Sequence, residues 1–310
     1  RVSGTRFAGA LFTNLTRDHL DLHGSMEEYY KTKRRLFQVA GGPKLANADD
    51  GWGRRLAGEI AGTETFGEKA DADYRVEKIR HTPEGTTFSL RSPGGTLEVE
   101  SPLLGGYNVL NVAGAAAFAL AAGVDAGAVE SATREMPQVP GRFERISGAE
   151  GFEVIVDYAH TDVGLSAALE VARRVARSAT GGEGSNGQGG RVVCVFGAAG
   201  DRDGAKRPLM GRVAAELADL SIITTDDAYS EDPAKIAREV ATGTDPERTS
   251  ITLDRREAIR RALREAESGD VVVVAGKGHE RVQHLPGGDV PFHDASVVRE
   301  LLEELGKEGG

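Results

Sequence analysis

Two regions of the chain hold polar side chains at spacings that could do chemistry. The first is Thr13-Asn14-Leu15-Thr16-Arg17-Asp18-His19-Leu20-Asp21-Leu22-His23-Gly24, followed by Met26-Glu27-Glu28-Tyr29-Tyr30-Lys31-Thr32-Lys33. His19 and His23 stand four residues apart, a spacing that can aim two imidazoles at one zinc ion. No HExxH or CxxC supplies the further ligand that zinc would want. The Asp and Asn content better suits a hard cation such as Mg²⁺, helping to place phosphates, and a plain polar helix is the remaining reading. The second region is a set of four runs in the C-terminal half: Asp157-Tyr158-Ala159-His160, Gly197 to Arg207, Thr225 to Pro233, and Gly276-Lys277-Gly278-His279-Glu280. They offer Arg202, Lys206, Arg207 and Lys277 as cations, Asp157, Asp226 and Glu280 as partners for ribose hydroxyls or an amine, and glycines that let the backbone approach a ligand. Taken singly, each residue could be a helix cap or a surface ion pair. Asp232, before Pro233, reads as such a cap.

The elements around these runs give them a common location. Apolar strands are expected at Phe152–Asp157, Arg191–Phe196, Leu220–Thr225, Ser250–Leu253 and Asp270–Ala275. Between and after them fall helical patterns at about Asp162–Arg177, Lys206–Leu217, from Pro233, Arg255–Glu267 and Ser296–Leu305. This alternation implies a Rossmann-like, mostly parallel sheet covered on both faces. Ligands bind outside the carboxyl ends of such strands, and all four polar runs fall there, which makes an active-site rim.

The first half is less regular. Ala10–Asn14 reads as a strand end entering a long polar helix, and Thr86–Arg91 and Thr96–Ser101 flank the hairpin signal Ser92-Pro93-Gly94-Gly95. Asn108–Ala122 and Ala126–Glu135 read as helices. The glycine-rich stretch Thr180–Gly190 is read as a loop within the second half, and the domain boundary is placed near Pro137–Gly141, giving domains 1–139 and 140–310.

Composition narrows the function classes. The 310 residues are 39% hydrophobic and 28% charged, with a formal net charge of −10, which speaks against general nucleic-acid binding. No apolar run approaches the roughly 20 residues that span a bilayer, and no signal peptide opens the chain. The one cysteine, Cys194, lies in the apolar run Val192–Phe196 and reads as a buried structural thiol. Without a partner it makes no disulfide, which fits the cytoplasm.

The motifs occur in an order that resembles the MurE-type Mur ligases. Thr13–Lys33 resembles the family block TNLxRDHLDxHGxMExYxxxK, Gly106-Tyr107-Asn108-Val109-Leu110-Asn111 its G-x-N-x-x-N segment, and Pro140-Gly141-Arg142-Phe143-Glu144 its hinge motif. Asp157–His160, Gly200-Asp201-Arg202-Asp203 and Ala275–Glu280 complete the set. The resemblance implies the C-terminal part of a central ATP-binding domain followed by the Rossmann-like C-terminal domain. It implies that His19 ligates magnesium and that Lys33 is carbamylated to hold a second Mg²⁺. Asn108, Asn111, Arg142 and Asp157 would contact ATP, with His160 nearby and Lys277 beside it as a catalytic cation; Arg202, Asp226, Asp227, Ala228, Tyr229, Gly276 and Glu280 would bind the incoming amino acid.

The implied reaction is formation of an acyl phosphate from ATP and UDP-MurNAc-L-Ala-D-Glu, then attack by the amine of a free amino acid, in a cytoplasmic monomer. Folylpolyglutamate synthase-like and cyanophycin synthetase-like ligases, or a non-catalytic Mur-like binding protein, are the alternatives.

Two departures modify the expectation. The family's Walker-type loop GTxGKT/S is absent from these residues, so the 310 residues alone are expected to be inactive. Diaminopimelate-using members carry D-N-P-R, whose arginine grips the distal carboxylate; here the loop is Asp226-Asp227-Ala228-Tyr229. With no cation in the loop and an extra Asp227, L-lysine or a similar diamine is expected over meso-diaminopimelate.

Overall fold

The computed structural model describes residues 4–16, 20–82, 84–148, 151–179 and 189–308. They fall into two compact units, Arg1–Pro137 and Gln138–Gly310.

In the first unit, β1 (Ala10–Phe12) is followed by α1 (Leu20–His23), α2 (Met26–Val39), β2 (Lys44–Asn47), α3 (Gly51–Glu59) and β3 (Thr63–Gly67). Then come β4 (Tyr74–Thr82), β5 (Gly85–Ser92), β6 (Gly95–Ser101), α4 (Gly106–Ala121) and α5 (Ala126–Glu135). The six strands lie in chain order. β1 to β4 run parallel and β4 to β6 form an antiparallel meander. The small residues of α4 allow it to lie close on the sheet: a Cβ on Gly114 would come within 2.8 Å of the Phe66 ring.

The long polar helix expected after Asn14 is corrected by the structure. Gly24 takes φ +72° and the Ser25 hydroxyl accepts from Glu28 N at 3.2 Å, so a new helix starts at Met26. That capping bond and the left-handed glycine break the helical run locally. Arg17, Asp18 and His19 lie outside the described residues, as do 180–188 of the glycine-rich stretch.

The second unit contains β7 (Glu144–Ile146), β8 (Glu153–Asp157), α6 (Asp162–Ala179), β9 (Val192–Phe196), α7 (Lys206–Leu217), β10 (Leu220–Ile223), α8 (Pro233–Ala241) and β11 (Thr249–Ile251). It ends with α9 (Arg255–Glu265), β12 (Val271–Ala275), the hairpin β13 (Val282–Leu285) and β14 (Gly288–Pro291), and α10 (Asp294–Glu308). The sheet order is β11-β10-β9-β12-β8-β7, parallel throughout except for the β7–β8 edge pair. The fold is the α/β, parallel-sheet architecture expected.

Central strands such as Val271–Ala275 are buried at every position, because helices cover both faces. Val154, Val156, Val193, Val195, Val272 and Val274 pack under α9 and α10, and α6, α7 and α8 pack beside one another. Cys194 is fully buried, and burial pushes its thiol far above the ordinary range, as an inert packing residue requires. No described helix is long and apolar enough to cross a membrane.

Candidate active site

Parallel strands deliver their following loops to one edge, and at that edge of the second unit the loops after β8, β9, β10 and β12 meet. The β12 loop begins at Gly276, φ +120°, where a Cβ would fall 2.3 Å from Asp226 Oδ2; only glycine admits that carboxylate. The next residue, Lys277, is fully buried. Its ammonium donates to Asp227 Oδ1 at 2.7 Å and Glu280 Oε2 at 2.9 Å. Burial disfavours the charge, yet Asp226, Asp227 and Glu280 outweigh it and hold Lys277 above the usual lysine range. Lys277 thus lies inward, as a strut joining the β10 and β12 loops.

Beneath it, Arg255 and Asp294 make a fully buried two-bond ion pair at 2.8 Å, and Arg255 also donates to Ala275 O at 3.0 Å. Four carboxylates (Asp226, Asp227, Glu280 and Asp294) therefore share two cations (Lys277 and Arg255). Asp226 Oδ1 accepts from Asp227 N, while its buried Oδ2 has no hydrogen-bond partner among the described residues. That excess of negative charge in a low-dielectric setting favours an ammonium.

The β8 loop closes another side. Both Asp157 oxygens accept backbone bonds, from Phe143 N at 2.6 Å and Ala159 N at 2.8 Å; burial raises its carboxyl pKa, only partly offset by those bonds. Tyr158 donates to Glu280 Oε1 at 3.3 Å. Burial, reinforced by Glu280, pushes its phenol up to about 12. The Arg142 guanidinium lies 4.6 Å over the Tyr158 ring. His160 Nδ1 donates to Tyr158 O at 2.8 Å, and Lys206 Nζ donates to His160 O at 2.8 Å.

The β9 and β10 loops are stitched together. Gly200 N donates to Asp227 O, Asp201 N to Glu231, and Ser230 N and Oγ to Asp201. Buried Arg207 ties Glu231 to Glu239. Asp232 caps α8 by accepting from Ala234 N, as its place before proline predicts. Tyr229, at φ +49°, lies parallel to His284 with ring centres 5.2 Å apart, and the Arg202 guanidinium lies 5.4 Å from its ring centre.

The diamine expectation rested on a cation-free loop and an available Asp227. The second premise is corrected, because Asp227 is paired with Lys277 and also accepts from His284 N; the loop itself carries no cation, and Arg202 lies near Tyr229 from the neighbouring loop.

The structure thus gathers Arg142, Asp157, His160, Arg202, Asp226, Asp227, Ala228, Tyr229, Gly276, Lys277 and Glu280 at one edge. Lys33, Asn108 and Asn111 belong to the first unit. There a cavity of about 360 Å³ opens at the carboxyl ends of β1, β2 and β3, lined by Thr13, Asn14, Asn47, Asp49, Asp50 and Asn111 among others. Asn111 Nδ2 donates to Asn108 Oδ1, and buried Asn108 donates to Leu104 O, so Asn111 meets the cavity with Asn108 behind it. Lys33 is exposed, its ammonium 5.3 Å over the Tyr29 ring. His23 stacks on Tyr29. Sequence reasoning missed Asn47, Asp49 and Asp50, because the short mixed strand Lys44–Asn47 that delivers them is not legible as a strand. It also missed Arg255, Asp294 and His284, whose partners lie far away in sequence.

These two units, with a polar strand-end cavity in one and a charged sheet edge in the other, have counterparts among known proteins. Residues 1–119 match the Mur ligase middle domain and residues 141–278 the Mur ligase glutamate ligase domain. The chain belongs to the Mur ligase family.

Within that family its relatives are MurE-type. The UDP-N-acetylmuramoyl-L-alanyl-D-glutamate–2,6-diaminopimelate ligase of Gloeobacter violaceus is 43% identical over 314 residues, covering 100% of this chain and 62% of that protein. The ligase of the same name from Solibacter usitatus is 43% identical over 316 residues, covering 99% and 61%. A solved structure of a ligase so named superposes with TM-score 0.61 at 35% identity, covering 98% of this chain and 62% of that one. The chain thus spans about three fifths of the length of these relatives.

Proposed function

We propose that the whole protein to which these residues belong joins 2,6-diaminopimelate to UDP-MurNAc-L-Ala-D-Glu in an ATP-driven step of peptidoglycan precursor synthesis in the cytoplasm. The observation that carries this reading is the charge arrangement at the second unit's sheet edge. The buried Asp226 Oδ2, which has no hydrogen-bond partner among the described residues, suits an ammonium, and Arg202 beside Tyr229 suits a carboxylate. A zwitterionic amino acid has both groups. The names of the relatives support diaminopimelate, and the pairing of Asp227 with Lys277 removes the argument that Asp227 selects lysine.

In the reaction, the γ-phosphoryl group of ATP passes to the terminal glutamyl carboxylate, giving ADP and an acyl phosphate. The neutral amine of the amino acid attacks the carbonyl carbon, phosphate leaves, and the amine's proton is lost as the amide forms. The protein's part is to position the reactants and balance charge. Arg142, carried on Tyr158, His160, and Asn111 at its cavity are the proposed nucleotide contacts. Asp157 and Asn108 hold the backbone and side chain that present them.

Magnesium would accompany ATP, neutralising phosphate charge. No group of three or more His, Cys, Asp or Glu placed to hold a metal occurs among the described residues, and an ammonium at Lys33 repels a cation. Mg²⁺ needs only one or two carboxylates beside phosphates and water, and the first unit's cavity offers the oxygen donors of Asp49, Asp50 and Asn47, while His19 lies outside the described residues. Lys33 could contribute only after carbamylation, to which its exposure leaves it open.

The test is phosphate release by the whole protein with ATP, Mg²⁺ and UDP-MurNAc-L-Ala-D-Glu, adding diaminopimelate, lysine or ornithine separately. Release dependent on diaminopimelate is expected. Release with lysine alone would retain the ligase and reject diaminopimelate; silence with all three from folded protein would reject the ligase reading.

A further inference from the structure

We propose that Arg299, on the C-terminal helix α10, is a positioning residue for nucleotide binding: through Glu144 it fixes the turn that carries Arg142. The inference deepens the ligase reading above, because it rests on Arg142 as a nucleotide contact.

The turn from Gln138 to Arg145 has a backbone that must be held. Gly141 and Phe143, on either side of Arg142, take left-handed conformations, φ +66° and +49°, and the second is rare for a bulky residue. Such a backbone persists only where its surroundings over-determine it. Arg142 N donates to Val139 O at 3.0 Å. Gly141 N donates to Glu144 Oε2 at 2.8 Å, Phe143 N to Asp157 Oδ2 at 2.6 Å, and Arg145 N to Gln138 Oε1 at 2.8 Å. Three of these four acceptors are side chains, so the shape of the turn depends on what holds the side chains.

Glu144 is held by α10. Its other oxygen, Oε1, accepts from Arg299 Nη2 at 2.8 Å, and its side chain is only 12% exposed. One carboxylate thus bridges helix and turn, with an oxygen for each. The helix is a firm post for that bond. Val298, next to Arg299, and Leu301 are fully buried in the core. Asp294, at the helix start, pairs with Arg255, which donates to Ala275 O just ahead of the β12 loop. The same helix therefore ties down both the β12 loop and the turn. These are the segments that meet at Gly278 and Gly141, where a Cβ on either would strike the other's backbone.

Arg142 projects from the middle of this turn, its guanidinium 4.6 Å over the Tyr158 ring. Loss of the Arg299 bond lets Glu144 reorient and loosens its hold on Gly141 N. Ordering the turn then becomes a cost of binding, where before it was a property of the unliganded protein; pre-organisation removes such costs. Arg299 is 51% exposed, so the pair adds little to global stability. Its effect falls on the turn, which separates a positioning role from a structural one.

The experiment uses the whole protein. It reads ADP affinity by calorimetry, KM for ATP and for diaminopimelate, the melting temperature, and amide hydrogen exchange across residues 138–145. Arg299→Met is expected to weaken ADP binding and raise KM for ATP about three- to fivefold, the span of a half-exposed charged pair. Exchange in the turn should quicken, while KM for diaminopimelate and the melting temperature stay nearly unchanged. Arg299→Lys, which keeps the charge, should recover most of the ADP affinity. The control is Arg256→Met, which removes ion pairs to Glu300 and Glu304 on the same helix and should leave ADP affinity as in wild type. A change of less than about twofold for Arg299→Met, or an equal loss in Arg256→Met, would overturn the inference, as would unchanged exchange in the turn. Wild type that binds ADP yet turns over none of the amino acids would instead overturn the ligase reading, with Arg299 still decided by binding and exchange.

Discussion

At the residue scale the second unit is decided by how buried charges are paired. Lys277 occupies a position where sequence alone suggests a cation facing a ligand, yet its side chain has no exposed surface and both its acidic partners belong to the site's loops. Removing it would leave Asp227 and Glu280 without their counter-charge. Breaking a buried pair from one side costs about 3–5 kcal/mol, so Lys277→Met should lower the urea midpoint by a corresponding amount. The comparison is Lys235→Met, whose 59%-exposed side chain faces Glu239 at 3.9 Å on α8; a pair of that kind contributes about 1 kcal/mol or less. Equal midpoint shifts in the two variants would refute the view of Lys277 as the strut of this edge.

At the element scale, Gly141 has a comparable role in backbone form. Its φ is +66°, and a Cβ there would lie 2.1 Å from His279 N and 2.3 Å from the carbonyl carbon of Gly278. Gly278 answers with φ +52° and a Cβ position only 2.7 Å from Gly141 O. Gly141→Ala must therefore separate the strand leading to β7 from the β12 loop, and should destabilise by more than the roughly 1–3 kcal/mol of backbone strain alone. Gly123→Ala isolates that strain, since Gly123 has φ +86° with nothing within 4 Å of its Cβ position. Denaturant melts in which the two variants match would remove the clash argument.

The sequence shows the strands of the second unit because helices bury them on both faces, making continuous apolar runs such as Val271–Ala275. It conceals β2 and β3 because Lys44–Asn47 and Thr63–Gly67 mix polar and apolar residues in short strands. The positions of the strand-end loops are legible for the same reason as the strands. The inward turn of Lys277 and the meeting of Arg202 with Tyr229 are not, because they depend on partners brought together by the strand order.

At the scale of the whole molecule, the two units have separate cores, and their responses to acid should be separable. In the second unit, hydrogen bonding from Arg207 lowers the Glu231 carboxyl from 4.5 to about 2. Burial would raise Asp270, but Arg191 and backbone donors prevail and hold it below 3.8. A carboxyl depressed in the folded state contributes stability that is complete above its unfolded pKa and disappears as pH falls through the folded value. Stability from Glu231 should accordingly be present at pH 7, decline below about pH 4.5 and vanish near pH 2. Glu231→Gln should be less stable than wild type at neutral pH, with the gap narrowing through that window. The single tryptophan, Trp52, lies in α3 of the first unit against Tyr30, so its fluorescence follows that unit while circular dichroism follows both. The Glu231→Gln shift should appear in circular dichroism and leave the Trp52 transition in place, as expected of domains that unfold independently. A pH-independent gap would remove the linkage to Glu231, and an equal shift of the Trp52 transition would mean that the two units unfold as one.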